Sequence, residues 1–290
     1  MAGLAYYQGA QALGATTIRT GSGSPQLQWD MMFKMKTTVL IIVPSFLSKL
    51  IDYAKAENIP FQKSTVKKII CIGEPVHKPD FTLNALGEKI TSQWDVELYG
   101  TYASSEMQTA FTECSEHQGG HLIPELIITE FLDDNHRPVK TGEPGNVTIT
   151  TLGIEGMPLL RFQTGDIACF YDEPCACGRN SLRIGPLIGR KDQMIKMKGT
   201  TVFPSTIVEL LNSIEGVTDY VVELTSDALK NDMINVHLHT TPNTNHHYIE
   251  ERLKAALRVT PEIIHTDQET IQKMKTAKSI RKMQYIVDNR

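Results

Sequence analysis

The stretch Arg161-Phe162-Gln163-Thr164-Gly165-Asp166 is followed, 22 residues later, by Gly189-Arg190-Lys191-Asp192-Gln193-Met194-Ile195-Lys196-Met197-Lys198-Gly199. Taken singly, each is ordinary. Thr164-Gly165-Asp166 reads as a turn between two strands, and Gly189 to Asp192 as a turn with a charged face. Taken together they bracket a change of pattern. Before Gly189, strand-like and helix-like segments alternate over a large unit; after Gly199 a smaller set begins again.

Upstream, Thr38 to Val43 is β-branched and apolar and reads as a buried strand. Phe46, Leu47, Leu50, Ile51 and Ala54 then recur at helical spacing, with Ser45 as N-cap. Lys68 to Ile72 predicts a second strand, ended by Gly73-Glu74-Pro75. Leu83, Leu86 and Ile90 mark a helix, and Val96 to Tyr99 a third strand. This rhythm implies a mostly parallel sheet covered by helices. From Leu126 to Phe170, strands with turns at Asp133-Asp134-Asn135 and Gly142-Glu143-Pro144-Gly145 predict an antiparallel, barrel-like section. The fold expected is α/β, with a small C-terminal α+β domain of two helices on one face of a sheet. The boundary expected separates residues 1–190 from 191–290.

Composition narrows the function classes. The chain has 290 residues, is 41% hydrophobic and carries a formal charge of −4. A mildly acidic protein has no basic field to attract nucleic acid or an anionic membrane. The apolar run Val39 to Val43 is far too short to span a bilayer. Five cysteines in a chain of this length make no disulfide scaffold; thiols or metal ligands in a cytoplasmic protein fit better.

With Tyr102-Ala103-Ser104-Ser105-Glu106 upstream, the two opening blocks resemble the signatures of the adenylate-forming acyl- and aryl-CoA synthetases. The phenylacetate–CoA ligase subgroup is the nearest, and the resemblance runs from about Gly3 to about Val287. It implies an ATP-dependent, AMP-forming ligase that joins an aromatic carboxylic acid to coenzyme A through an acyl-adenylate. It also implies a large AMP-binding domain, incomplete at its N-terminal side, and a mobile C-terminal lid.

Site residues follow by position. Tyr102 would lie against the adenine and Ser105 would meet phosphate. Glu106 would hold Mg²⁺, for which a carboxylate is a suitable hard ligand. Ala103 stands where the family has Gly, and Ser105-Glu106-Met107-Gln108 also reads as a plain helix capping box. Asp166 would accept hydrogen bonds from both ribose hydroxyls. Gly73-Glu74-Pro75 would border the adenine pocket. Arg190 would contact the nucleotide, with Asp192 as the hinge. Lys278 would stabilise charge as the carboxylate attacks the α-phosphate. Its context here is Ala277-Lys278 rather than Gly-Lys, within a basic run that also reads as a solvated face. Tyr6-Tyr7-Gln8-Gly9 would contribute to the acyl pocket.

Cys175-Ala176-Cys177 forms a tight pair, and Cys114 precedes His117 and His121. Two readings stand: unlinked thiols with surface histidines, or a four-ligand Zn²⁺ site. Relatives of the subgroup favour Cys114, His121, Cys175 and Cys177, with His121 ahead of His117. Cys71 and Cys169 read as core thiols.

The family's Ser/Thr/Gly-rich loop around the β- and γ-phosphates has no counterpart. Thr20-Gly21-Ser22-Gly23-Ser24 reads as a different, flexible loop. The expectation is a shortened member with little turnover by itself. The alternatives are a degenerate nucleotide- and zinc-binding protein, or acid activation for transfer to a protein. A homodimer is compatible with the sequence.

Overall fold

The computed structural model describes the chain except Met1, Ser22, residues 198–199 and 228–231, Arg258 and residues 278–283. It divides into two compact units, Met1–Leu187 and Ile188–Arg290.

The first unit opens with helices α1 (Ala2–Ala12) and α2 (Pro25–Lys34). The Gly/Ser-rich segment before α2 is tied to it. Ser24 caps the helix by accepting from the Leu27 amide, and Gln28 donates to the Gly21 carbonyl while accepting from Thr20. Strands β1 (Val39–Ile42), β2 (Lys68–Ile72) and β3 (Glu97–Ala103) then pair in parallel, joined through α3 (Pro44–Ala56) and α4 (Ala85–Thr91). Beyond β3 the same sheet turns antiparallel through β4 (Ala110–Glu113) and β5 (Gly120–His121). The expected parallel sheet is therefore only the first part of a seven-stranded mixed sheet.

Two local expectations are corrected. Strand β1 is not buried on both faces: Val39 and Ile41 are 44% and 38% exposed. It is the sheet's end strand, and the core formed with α2, α3 and α4 lies on the face of Leu40, Ile42, Ile69 and Cys71. Ser45 is not the N-cap of α3. Pro44 holds the first helical position, where its missing N–H costs nothing, and Val43 is the cap residue.

The core beneath the parallel strands gathers Trp29, Phe61 and Trp94, with Phe61 edge-on to Trp94 at 5.8 Å. The Trp29 indole N–H donates to the Leu50 carbonyl at 2.9 Å, so α2 is both packed and hydrogen-bonded onto α3. Strands β6 (Ile127–Leu132), β7 (Gly145–Thr151) and β8 (Phe162–Ala168) form the expected antiparallel section. Strands β9 (Phe170–Tyr171) and β10 (Arg183–Ile184) return to the main sheet, where β10 pairs with β5.

The second unit begins with β11 (Gly189–Arg190) and the hairpin of β12 (Ile195–Met197) and β13 (Thr200–Val202). Helix α5 (Pro204–Asn212) and strands β14 (Val217–Ser226) and β15 (Asp232–Thr240) follow. Helix α6 (His246–Leu257), β16 (Glu262–His265), α7 (Gln268–Thr276) and β17 (Ile286–Asp288) complete it. The sheet order is β16-β15-β14-β17. Ile207, Leu211, Ile249 and Leu253 of α5 and α6 pack on the face of Val222, Leu224 and Val236.

The expectation of two helices on one face misses α7. It packs on the opposite face, where Ile271 and Met274 meet Val221 and Val287. The apolar periodicity of α7 is broken because Lys275 takes a core position. That side chain is buried, ion-paired with Asp219, and 4.0 Å from the Tyr285 ring centroid.

Among the described residues, no helix is long and apolar enough to cross a membrane.

Candidate functional site

The loops that follow the parallel strands lie at the carboxyl edge of the sheet, where open α/β sheets collect their ligands. Gly73-Glu74-Pro75 follows β2, and Gly73 needs its φ of +78° to turn off the strand. Glu74 reaches the start of α3 and accepts from the Ser45 amide at 2.9 Å and its hydroxyl at 2.8 Å. A carboxylate there satisfies free helix amides and complements the helix dipole. Asn84 fixes the loop from the other side. Its amide donates to the Pro75 carbonyl at 2.8 Å, and its carbonyl caps α4 by accepting from Gly87.

Strand β3 runs through Tyr102 and Ala103 before residues 104–109 turn into β4. The capping-box reading of Ser105 to Gln108 fails here. No helix forms, because Ala103 pairs with Ala110 and the chain must reverse between them. Ser104, rather than Ser105, accepts from the Met107 amide, at 3.3 Å. Ser105 and Glu106 are exposed on this turn.

Thr164-Gly165-Asp166 is not a turn between strands. It is a bulge inside β8: the register with β7 breaks between Asn146 and Thr148. Gly165 adopts φ +79°, and the Thr164 hydroxyl bridges the bulge. It donates to the Val147 carbonyl at 3.0 Å and accepts from the Asp166 amide at 3.1 Å. The distortion re-aims Asp166, whose carboxylate accepts from the Tyr102 hydroxyl at 2.8 Å. Thr164 is a participant that sequence reasoning passed over; the small hydroxyl beside a glycine was its signal. Tyr6 and Tyr7 lie half-buried on α1.

In the second unit, Arg190 lies on β11 and Asp192 in the turn beyond it. The Asp192 carbonyl accepts from the Arg290 guanidinium at 2.7 Å, and Arg290 also reaches the Met194 carbonyl, Asp232 and Asp288. These two acidic partners raise the Arg290 pKa, Asp288 most. Arg290 is thus a brace on the turn, a role with no signal in the local sequence. Lys278 lies outside the described residues.

Cys114, His121, Cys175 and Cys177 converge, all their donor atoms lying within 4.8 Å of one another. The pairing of β5 with β10 sets His121 opposite Arg183 and so joins the turn after β4 to the turn before β10. The Cys114 and Cys175 sulfurs are 3.7 Å apart, and Cys177 Sγ is 3.5 Å from His121 Nε2. Gly178, at φ +90°, closes the knuckle, its amide donating to the Cys175 carbonyl. His121 Nδ1 is engaged by Ser181 at 3.1 Å, which orients Nε2 into the cluster. Burial pushes the Cys114 thiol up to about 11. The Arg179 backbone amide, with further hydrogen bonds, brings Cys177 down to about 7. His121 is shifted below its ordinary value by burial and by Arg179 and Arg183. His117 is not part of this set. Cys71 is a core thiol, as expected, and Cys169 is half-buried.

Comparison with known proteins bears on the fold and the family. Residues 199–290 match the family model of the AMP-binding enzyme C-terminal domain. A phenylacetate–coenzyme A ligase of Thermus thermophilus is 28% identical over 222 residues, covering 75% of this chain and 48% of the relative. The Aromatoleum evansii phenylacetate–coenzyme A ligase is 25% identical over 255 residues, covering 84% and 54%. The chain thus spans about half the length of the curated relatives it matches. A crystal structure of 2-hydroxyisobutyryl-CoA ligase in the postadenylation state superposes with a TM-score of 0.81. It covers 98% of this chain and 62% of that one, at 21% identity. The chain carries the fold of the adenylate-forming CoA ligases, and in sequence it is a relative of the phenylacetate–coenzyme A ligases.

Proposed function

We propose that this chain is the nucleotide-handling part of an ATP-dependent, AMP-forming ligase for a phenylacetate-like aromatic acid and coenzyme A. The observation that carries the proposal is the Tyr102–Asp166 hydrogen bond, at 2.8 Å, beside the Gly73-Glu74-Pro75 loop at the carboxyl edge of the sheet. A carboxylate offers two acceptor oxygens, which suits it to a pair of ribose hydroxyls. The Tyr102 ring supplies a flat surface for adenine. In the first half-reaction a substrate carboxylate oxygen bonds to the α-phosphorus of ATP as the bond to pyrophosphate breaks. In the second, the coenzyme A sulfur bonds to the acyl carbon, AMP leaves, and the thiol proton passes to solvent. Lys278 stabilises the charge that develops on the α-phosphate. Asp192 is the hinge between the half-reactions and Arg190 a nucleotide contact. Tyr6 and Tyr7 contribute to the acyl pocket. Ser105 faces phosphate, and Glu106 would hold Mg²⁺, which supplies positive charge against the phosphates.

The Cys114, His121, Cys175 and Cys177 set fits structural Zn²⁺. Three thiol sulfurs and an imidazole converge, and the second imidazole nitrogen is already oriented by Ser181. Cysteines outside disulfides are consistent with a cytoplasmic setting.

Calorimetry with AMP and ATP tests the proposal on the chain itself. AMP is expected to bind at least as tightly as ATP, and the Asp166→Ala variant to lose that binding. ATP binding that is tight and indifferent to Asp166 overturns it.

A further inference from the structure

Beside the thiol cluster lies a second convergence of donors that the ligase chemistry does not use. His77 follows the Gly73-Glu74-Pro75 loop, Glu113 ends β4, and His117 sits in the turn before β5. His77 Nδ1 is 3.1 Å from one Glu113 carboxylate oxygen, and His117 Nδ1 is 3.8 Å from the other. One ligand atom from each of the three residues lies within 4.8 Å of the others.

Three features set the cluster apart from an incidental ion pair. First, the Glu113 side chain is only 5% exposed and lodges against the strand backbone. The Gly100 amide donates to it, and a Cβ at Gly100 would stand 3.1 Å from the carboxylate. Glycine at that position leaves room for the acid. Second, His117 Nδ1 is shut off from water and has no hydrogen-bond partner, although a buried ring nitrogen left unpartnered is costly. Third, the His77 and His117 rings stand 5.8 Å apart, centroid to centroid, each with its Nδ1 toward the same carboxylate. An unpartnered nitrogen aimed at a buried carboxylate, with a second imidazole beside it, is a ligand set short of its ion.

We propose that His77, Glu113 and His117 form a second divalent-cation site, distinct from the thiol cluster. Two imidazoles and one carboxylate favour a borderline transition ion such as Zn²⁺ or Co²⁺ over Mg²⁺. Ligand atoms about 2.0–2.2 Å from such an ion lie roughly 3.3 Å from one another. The His77–Glu113 contact at 3.1 Å is close to that value and the His117 contact with the other carboxylate oxygen at 3.8 Å exceeds it, so loading draws His117 inward. Three protein ligands leave the fourth position to water. The His117 side chain is 26% exposed, which gives the ion an entry path. Glu113 adjoins Cys114, and His117 lies between Cys114 and His121, so one short turn would serve both sites.

The test is a Co²⁺ titration of the chelator-stripped full chain, read by metal content after equilibrium dialysis and by visible absorption. Two equivalents are expected, one with thiolate-to-cobalt charge transfer and one without. His117→Gln and, separately, His77→Gln should each lose one equivalent and keep the charge-transfer band, which also reports that the fold is intact. Cys177→Ser should weaken the band and retain the non-thiolate equivalent. Saturation of the wild type by thiolate-bound cobalt alone overturns the proposal. So does undiminished binding of the second equivalent in both histidine variants. Absence of the charge-transfer band would count against the thiol site and leave the equivalent lost in His117→Gln as the measure of this one.

Discussion

The Tyr102 hydroxyl donates to the Asp166 carboxylate at 2.8 Å, across 64 residues of sequence. This one bond joins the last residues of the parallel part of the main sheet to the bulge in β8. If Asp166 receives a ribose, Tyr102 acts on the nucleotide twice, through its ring and by orienting the acid. Asp166→Ala should weaken AMP binding about 100-fold, since hydrogen bonds to a charged group contribute about 1.5–3 kcal/mol each. Tyr102→Phe keeps the ring and should cost about tenfold or less. Calorimetry checks both; an equal loss in the two variants would contradict the separate roles.

Asn84 links the Gly73-Glu74-Pro75 loop to α4 through the Pro75 carbonyl and the Gly87 amide. Asn84→Ala removes a helix cap and leaves a carbonyl without its donor, at a cost of about 1–2 kcal/mol. Thermal unfolding should show a fall of a few degrees. AMP affinity should fall as well if the loop borders the adenine. A normal melting temperature would show that the loop does not depend on this side chain.

A structural Zn²⁺ at Cys114, His121, Cys175 and Cys177 predicts about one tightly held equivalent in protein purified without added metal, and a lower melting temperature after chelation. Cys175→Ser should reproduce the chelated state. Less than about 0.2 equivalents, with no effect of chelator, would rule the site out as a structural centre.

The lid reading separates the two half-reactions, provided they are assayed where a complete site exists. Lys278→Ala should reduce adenylation by on the order of 10²–10³, as loss of a charge-stabilising donor does, and spare thioester formation from supplied acyl-adenylate. Asp192→Pro should do the reverse, because proline fixes φ at the hinge. Arg290→Ala frees the Asp192 carbonyl and should alter the second half-reaction without removing a substrate contact. Pyrophosphate exchange and single-turnover coenzyme A transfer distinguish these outcomes.

Glu223, on β14, predicts an acid sensitivity of the second unit. Burial pushes its carboxyl up, but hydrogen bonds from His237, Asn289 and Asn235 outweigh this and hold its pKa below the ordinary value. A depressed folded pKa stabilises above the unfolded value of about 4.3 and is lost as pH falls through the folded one. Glu223→Gln should therefore lower the melting temperature near pH 7 and converge with wild type at pH values below the folded pKa. A constant difference between the two across that range would remove the linkage.

The sequence by itself determined most of the element types and the order of the site blocks. Apolar period set α3, β2, β14 and α6, and the strands between Ile127 and Ala168 followed from alternation and turn residues. The four thiol and imidazole ligands were legible as residue types, because few other side chains offer soft donors. Three things belonged to the tertiary structure. Pairing of β5 with β10 decided that Cys175 and Cys177 meet Cys114 and His121 rather than His117, and strand pairing between distant segments leaves no local trace. The hidden helix α7 stayed illegible because Lys275 stands where an apolar residue would mark the core, its charge being balanced by Asp219 from another element. The Thr164-Gly165-Asp166 bulge reads locally as a turn. Only the partner strand β7, with the Val147 carbonyl waiting for the Thr164 hydroxyl, makes it an interruption within a strand that carries Asp166 to Tyr102.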